Sequence, residues 1–172
     1  LDSLVLKETA KLHRGDKENV TLWERFLPAC KEEIHAIYKR LSVCFDHEYG
    51  ESFYHDMLPA VIEELLSRSL ATQSEGAICV FLEQFDAPMI VQKQDGAFLY
   101  STTDIATAMF REREFGPDAC LYVVDHRQSE HFQKLFAVLE KIGLSHTDYR
   151  HISFGTVMGK DGKPFKTRAG DN

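Results

Sequence analysis

Cysteine is sparse and unpaired in this sequence. Cys30, Cys44, Cys79 and Cys120 form no Cys-x-x-Cys pair, which excludes a zinc ribbon and a dense disulfide framework. Three of them sit in apolar runs and read as small core residues, so a reducing, cytoplasmic setting is expected. Long apolar runs are missing too. None approaches the roughly 20 residues of a membrane-spanning helix, and no charged-then-apolar leader resembles a signal peptide. Positive charge is in deficit, with a formal net charge of −7 at pH 7. A free-standing nucleic-acid binder is usually basic, so nucleic-acid contact is expected from a local patch or from another part of the protein. Several short motifs also fail. The stretch from Gly155 to Lys160 runs into Asp161, where a Walker phosphate loop requires Ser or Thr. There is no Gly-x-Gly-x-x-Gly fingerprint, no Gly-x-Ser-x-Gly elbow, no repeat and no low-complexity stretch.

What is present is an ordinary globular composition, 44% hydrophobic and 27% charged over 172 residues. That is enough for one domain with a core, or one domain carrying an insertion. Leu1 is not an initiator methionine, residues 1–14 read as the tail of a helix begun upstream, and Asn172 falls within a loop. The sequence is therefore expected to be part of a longer protein. A helix is expected over 19–41, with Thr21 and Glu24 in capping-box spacing and Pro28 placed to kink or split it. Residues 43–46 (VCFD) read as a short strand. Ser52 caps a helix whose apolar face is Leu58, Val61, Ile62, Leu65 and Leu66. A buried strand is expected over 77–82, and 89–92 and 98–101 flank Asp95-Gly96, a hairpin signal. Helix follows over 103–114, with Thr102 or Thr103 as cap. Residues 120–125 (CLYVVD) are nearly all apolar, as in a strand covered on both faces. Residues 129–142 form an amphipathic helix closed by Gly143, and 150–158 is the last strand. From Phe98 onward the order strand, helix, strand, helix, strand argues for a parallel α/β sheet, onto which the helix-rich earlier part with its hairpin packs as an insertion.

In such a sheet, ligands bind beyond the carboxyl ends of the strands. Three segments bring polar groups there: Tyr100-Ser-Thr-Thr-Asp104, Asp125-His-Arg-Gln128-Ser-Glu-His131, and the terminal 159–172, GKDGKPFKTRAGDN. The last carries three glycines, three lysines and an arginine. Glycines let backbone approach phosphates closely, and cations can follow the negative charge that moves in nucleotidyl transfer. The same segment reads also as a basic tail. Asp104 could hold a guanidinium through paired charge-assisted hydrogen bonds. Alternatively it complements the helix dipole while Tyr100 packs in the core. Gln128 could select an amide or guanidinium, or it could be a surface residue at a helix start. His126 and His131 could contact a nucleotide; five residues apart, they share no helix face, which argues against a zinc pair. His35, His47 and His55 read as surface or packing residues.

Four stretches, in this order, resemble the second half of the catalytic domain of a class I aminoacyl-tRNA synthetase, and within that class the bacterial type of arginyl-tRNA synthetase. They are FDHEYGESFY (45–54), DGAFLYSTTDIATAMFR (95–111), LYVVDHRQSEHFQKLFAVLEKIG (121–143) and HISFGTVMGKDGKPFKTRAGD (151–171). The FKTRAG of the last occupies the place of the class signature loop Lys-Met-Ser-Lys-Ser. The resemblance implies that 98–172 is the second half of a Rossmann-like, nucleotidyl-transferase-like parallel sheet ending in the signature loop, and that 1–97 is a helix-rich connective insertion. It implies ATP-dependent activation of arginine to arginyl-adenylate, then transfer to tRNA(Arg), with Mg2+ accompanying ATP and no tightly bound cofactor. In the implied site Tyr100 and Asp104 hold the substrate guanidinium with help from Gln128. His131, Val157, Met158, Lys160 and Lys166 bind ATP, Lys163, Lys166, Thr167 and Arg168 act catalytically, and no residue binds a structural metal. Two departures stand out. Ala169 replaces the usual second lysine of the signature, and the His-x-Gly-His segment of the class is absent. The chain is therefore expected to be a partial catalytic core, inactive alone, from a cytoplasmic, monomeric parent. The alternative is a synthetase-like binding or interaction module without catalysis.

Overall fold

The structure, a computed structural model, describes residues 2–156, 158, 159 and 162. The chain divides into two units, Leu1–Glu48 and Tyr49–Asn172.

The first unit holds helices α1 (Asp2–His13) and α2 (Lys17–Arg40). The start of α2 is set by Asp16, whose Oδ1 accepts from the Asn19 backbone N–H at 3.2 Å and so satisfies one of the orphan donors of the first turn. The expected capping box at Thr21 does not form. Thr21 lies inside the helix and its hydroxyl donates back to the Lys17 carbonyl at 2.7 Å. Pro28 does not split the helix, which continues through it to Arg40. Residues 43–46, expected as a strand, are irregular. A strand needs a partner to receive its backbone groups, and here Phe45 instead sets its ring edge-on to Tyr38 at 4.9 Å. Glu48 closes the unit, its Oε1 lying 2.7 Å from His35 Nε2.

The second unit opens with a 3-10 turn, Glu51–Met57, followed by α3 (Leu58–Ser67). Phe53 and Tyr54 gather edge-on around Phe110 at 5.1 and 5.7 Å. The expected apolar face of α3 is buried at Leu58, Val61, Ile62 and Leu65, but Leu66 points out, 42% exposed. Strands β1 (Thr72–Ser74), β2 (Ala77–Val80) and β3 (Met89–Gln92) make an antiparallel sheet in chain order. Glu75 and Gly76 join β1 to β2, both at positive φ (49° and 82°). That is the two-residue turn whose twist suits a hairpin, and it was not expected. The expected hairpin at Asp95-Gly96 forms only its turn. Asp95 Oδ1 accepts from the Ala97 N–H at 3.1 Å, and one bridge joins Gln92 to Phe98. The return arm is not a strand, because helix α4 (Tyr100–Phe115) already begins at Tyr100.

Neither Thr102 nor Thr103 caps α4. Leu99 is the capping position and contributes no side-chain bond. The Ser101 hydroxyl instead donates to the Ile90 carbonyl at 2.6 Å, and the Thr102 hydroxyl to the Val91 carbonyl, so the helix start is fastened to β3. After Gly116 at the carboxyl end of α4 come β4 (Ala119–Asp125), a 3-10 turn at His126–Gln128, α5 (Ser129–Ile142) and β5 (Asp148–Phe154). Gly143 closes α5 as expected, with φ 96°, a value that favours glycine. β4 and β5 pair in parallel from Ala119↔Asp148 to Asp125↔Phe154. The α/β class is thus met, although the strand expected before α4 is missing. Among the described residues, only one face of β4 is covered. Cys120 and Tyr122 are buried, whereas Leu121 and Val123 are 57% and 65% exposed. The buried layer lies between the strands and the helices, where Leu65, Val80, Val91, Ile105, Ala108, Leu135, Val138 and Leu139 are fully enclosed. Of the cysteines, Cys79 and Cys120 are buried, but Cys30 and Cys44 are exposed rather than core residues.

Candidate functional site

Tyr100 opens α4 and Asp104 follows four residues on, at the start of its second turn. That spacing puts them one above the other on the helix, near its amino end. Tyr100 is 57% exposed, so it does not pack in the core. Across from them, α5 presents His131. Its Nε2 lies 2.6 Å from Asp104 Oδ2, and its ring centroid is 4.6 Å from that of Tyr100. Three side chains from two segments are thereby brought together. Asp104 Oδ1 accepts no hydrogen bond from the described residues. The His131 ring meets Phe132 edge-on at 5.2 Å, and Phe132 stacks on His151 at 4.7 Å. His151 Nε2 in turn lies 3.0 Å from the Val124 carbonyl oxygen of β4.

The second corner is held by Asp125 at the carboxyl end of β4. Its Oδ1 accepts from the Arg127 backbone N–H and from Arg127 Nε, both at 2.9 Å. Its Oδ2 accepts from Arg127 Nη2 at 3.0 Å and from the Thr156 hydroxyl at 3.1 Å. The Arg127 guanidinium and backbone N–H hold this carboxyl far below the usual carboxylate range, because each bond favours the charged form. Sequence reasoning named the corner but missed both pairings. An Asp-x-Arg at a strand end is the signal that could have found the first; the Thr156 contact spans 31 residues and leaves no local trace. Gln128 is exposed and ends the 3-10 turn, three residues ahead of His131. His126 is on that turn with its Nδ1 3.5 Å from Asp125, away from the His131 contact.

At the third corner Met158 is half exposed. Val157, Lys160, Lys163, Lys166, Thr167 and Arg168 lie outside the described residues. Among the described residues, no group of three or more histidine, cysteine or acidic side chains is gathered that could hold a metal. A shallow concavity edged by Pro59, Ile62, Leu66 and Phe98 shares no residue with the Tyr100–Asp104–His131 cluster.

Known proteins are similar to this chain in sequence and fold. Residues 5–172 match the family described as tRNA synthetases class I (R), catalytic domain. An arginine–tRNA ligase of Rhodopirellula baltica is 59% identical over 170 residues, covering 99% of this chain and 25% of that protein. One from Chromobacterium violaceum is 44% identical over 170 residues, covering 93% of this chain and 30% of its own length. The crystal structure of arginyl-tRNA synthetase from Plasmodium falciparum is similar with a TM-score of 0.82 at 29% identity, over 92% of this chain and 29% of that one. With nearly its whole length matched, the chain belongs to the family of catalytic domains of class I tRNA synthetases of the arginine type.

Proposed function

We propose that the protein of which this chain forms part is an arginine–tRNA ligase, activating arginine with ATP to arginyl-adenylate and passing the arginyl group to tRNA(Arg). The chain spans 25–30% of the length of the relatives it matches, so the remaining machinery lies elsewhere in them. The observation that carries the reading is the amino end of α4. An exposed tyrosine stands one turn from an aspartate that keeps one oxygen without a hydrogen-bond partner among the described residues. A guanidinium is a planar fork of five donors, and an open carboxylate beside a phenol oxygen is a matching acceptor set. Gln128 adds an amide oxygen at the neighbouring corner.

In the activation step a carboxylate oxygen of arginine attacks the α-phosphorus of ATP. The bond to the bridging oxygen breaks, and pyrophosphate leaves with the electron pair. Val157, Met158, Lys160 and Lys166 are assigned to ATP, with Mg2+ arriving on the nucleotide. Lys163, Lys166, Thr167 and Arg168 are assigned to the charge that grows on the leaving group, where fixed cations are most effective. The signature-like FKTRAG and the names of the relatives support that assignment. Residues 1–97 are read as the connective insertion and 98–172 as the second half of the catalytic domain. Without a His-x-Gly-His segment the chain alone is inactive. We place the whole protein in the cytoplasm as a monomer; four free cysteines fit a reducing compartment.

The test is arginine- and tRNA-dependent ATP–pyrophosphate exchange, run side by side on this chain and on the full-length protein. Exchange by the full-length protein alone is expected. No exchange by the folded full-length protein overturns the ligase reading in favour of a non-catalytic binding module.

A further inference from the structure

We infer that His131 is a positioning residue for arginine recognition: it holds Asp104 in one orientation and leaves the other carboxylate oxygen to the ligand. The inference rests on the reading of Asp104 as the guanidinium acceptor. It moves His131 away from the nucleotide, to which the family resemblance assigned it.

Three observations carry it. The first is the bond itself, 2.6 Å from His131 Nε2 to Asp104 Oδ2. An ionised carboxylate only accepts, which assigns the proton to Nε2. That nitrogen is then committed to Asp104. The second is burial. The His131 side chain is 11% exposed and that of Asp104 is 31% exposed, so the histidine is the inner partner and the carboxylate the outer one. A ligand arriving from solvent meets Asp104 first. The third is support. The His131 ring lies against both Tyr100 and Phe132. Phe132 is itself 4% exposed and stacked on His151. The imidazole is therefore braced on its Phe132 side by a buried ring.

The physical gain is preorganisation. A free aspartate must lose side-chain rotation when it grips a ligand, and that loss weakens binding. Fastening Oδ2 to a fixed ring removes the loss beforehand. Oδ1 and the remaining lone pair of Oδ2 stay open to donors.

The experiment uses the full-length protein and two substitutions. His131→Phe keeps a ring between Tyr100 and Phe132 but removes the donor. His131→Gln loses the ring but can set an amide N–H near the place of Nε2. Steady-state KM is measured for arginine and for ATP in the exchange assay, beside Asp104→Ala. KM does not depend on how much of a variant is folded, so partial loss of folded protein leaves the test readable. For His131→Phe the arginine KM is expected to rise roughly tenfold or more, the size of a lost bond to a charged group, with the ATP KM changed less than about twofold and little loss of kcat. His131→Gln is expected to recover most of the arginine KM. An ATP KM that rises as much as the arginine KM overturns the inference and returns His131 to the nucleotide. An unchanged arginine KM in His131→Phe, or a His131→Gln no better than His131→Phe, overturns it as well. If Asp104→Ala leaves the arginine KM unchanged, the fault lies in the underlying reading of Asp104; if only His131→Phe does so, it lies in this inference alone.

Discussion

Two of the carboxylates on helix α4 have a histidine at 2.6 Å, and the two pairs are mirror images in burial. At the amino end Asp104 is the more open member, 31% exposed against 11% for His131. Toward the carboxyl end Glu112 is enclosed at 6% while His146 is 65% exposed. Glu112 also accepts from the Tyr149 hydroxyl at 2.6 Å. Burial alone would push its carboxyl up, but nearby Thr147, the bond from Tyr149 and the charge of His146 hold it below its ordinary value. A negative charge there also works against the helix dipole, so those partners are needed to keep it. The difference teaches that a carboxylate–histidine distance does not by itself tell a binding group from a brace. Which member is inside does. Glu112 is the inner partner: its Oε1 takes the Tyr149 hydroxyl, which ties the end of the helix to the last strand, and its buried Oε2 lies 2.6 Å from His146 Nε2 without making a hydrogen bond. Asp104 is the outer partner of its pair.

That contrast breaks most clearly at Asp104. In the full-length protein Asp104→Ala should weaken arginine by about 2–5 kcal/mol, the cost of leaving a charged partner unpaired. This is roughly thirtyfold to several-thousandfold in arginine KM, with the unfolding midpoint nearly unchanged. An unaltered arginine KM would make Asp104 a second brace. Glu112→Ala should do the reverse. It should cost about 2–4 kcal/mol of stability through the lost side chain and the stranded Tyr149 hydroxyl, read by denaturant unfolding, and leave the arginine KM alone. Tyr149→Phe isolates one bond of that brace and should cost about 1–2 kcal/mol; a neutral result would shift the load to His146.

The smallest effect sharpens the comparison through pH. Because the folded Glu112 carboxyl titrates below its unfolded value of about 4.5, the unfolded chain binds the proton more readily. Its contribution is present in full above that value and fades as the pH falls through the lower folded one. Between pH 6 and strongly acid conditions Glu112→Gln should therefore lose less stability than the unmodified protein. Equal acid sensitivity in both would remove Glu112 from the account.

Local chemistry made much of this fold readable. The amphipathic α5, its Gly143 stop, β4 and the burial of Leu58, Val61, Ile62 and Leu65 all follow from period and punctuation. So did the stacking of Tyr100 over Asp104, once the segment is helical. The failures share one cause. Residues 98–101 look extended because their neighbours on the carbonyls of β3 cannot be read from the chain, and Ser101 and Thr102 anchor a helix instead. Leu121 and Val123 look doubly covered because apolar composition does not say what covers it. The pairing of Asp104 with His131 spans 27 residues, and that of Glu112 with Tyr149 spans 37. Periodicity places each group on a face but is silent on which face it meets.

The fork that Arg127 lays on Asp125 has a consequence for the field at the strand end. The two formal charges are opposite and cancel at bonding distance, and Thr156 takes up a further acceptor site. With the carboxyl held far below its usual range and the guanidinium raised above its own, neither changes charge across the pH range in which proteins work. A lone aspartate at that corner would repel a polyanion and would do so most strongly once ionised. The pair instead contributes no net charge of its own, so an anion can come near the β4 corner without meeting a barrier of like sign from Asp125.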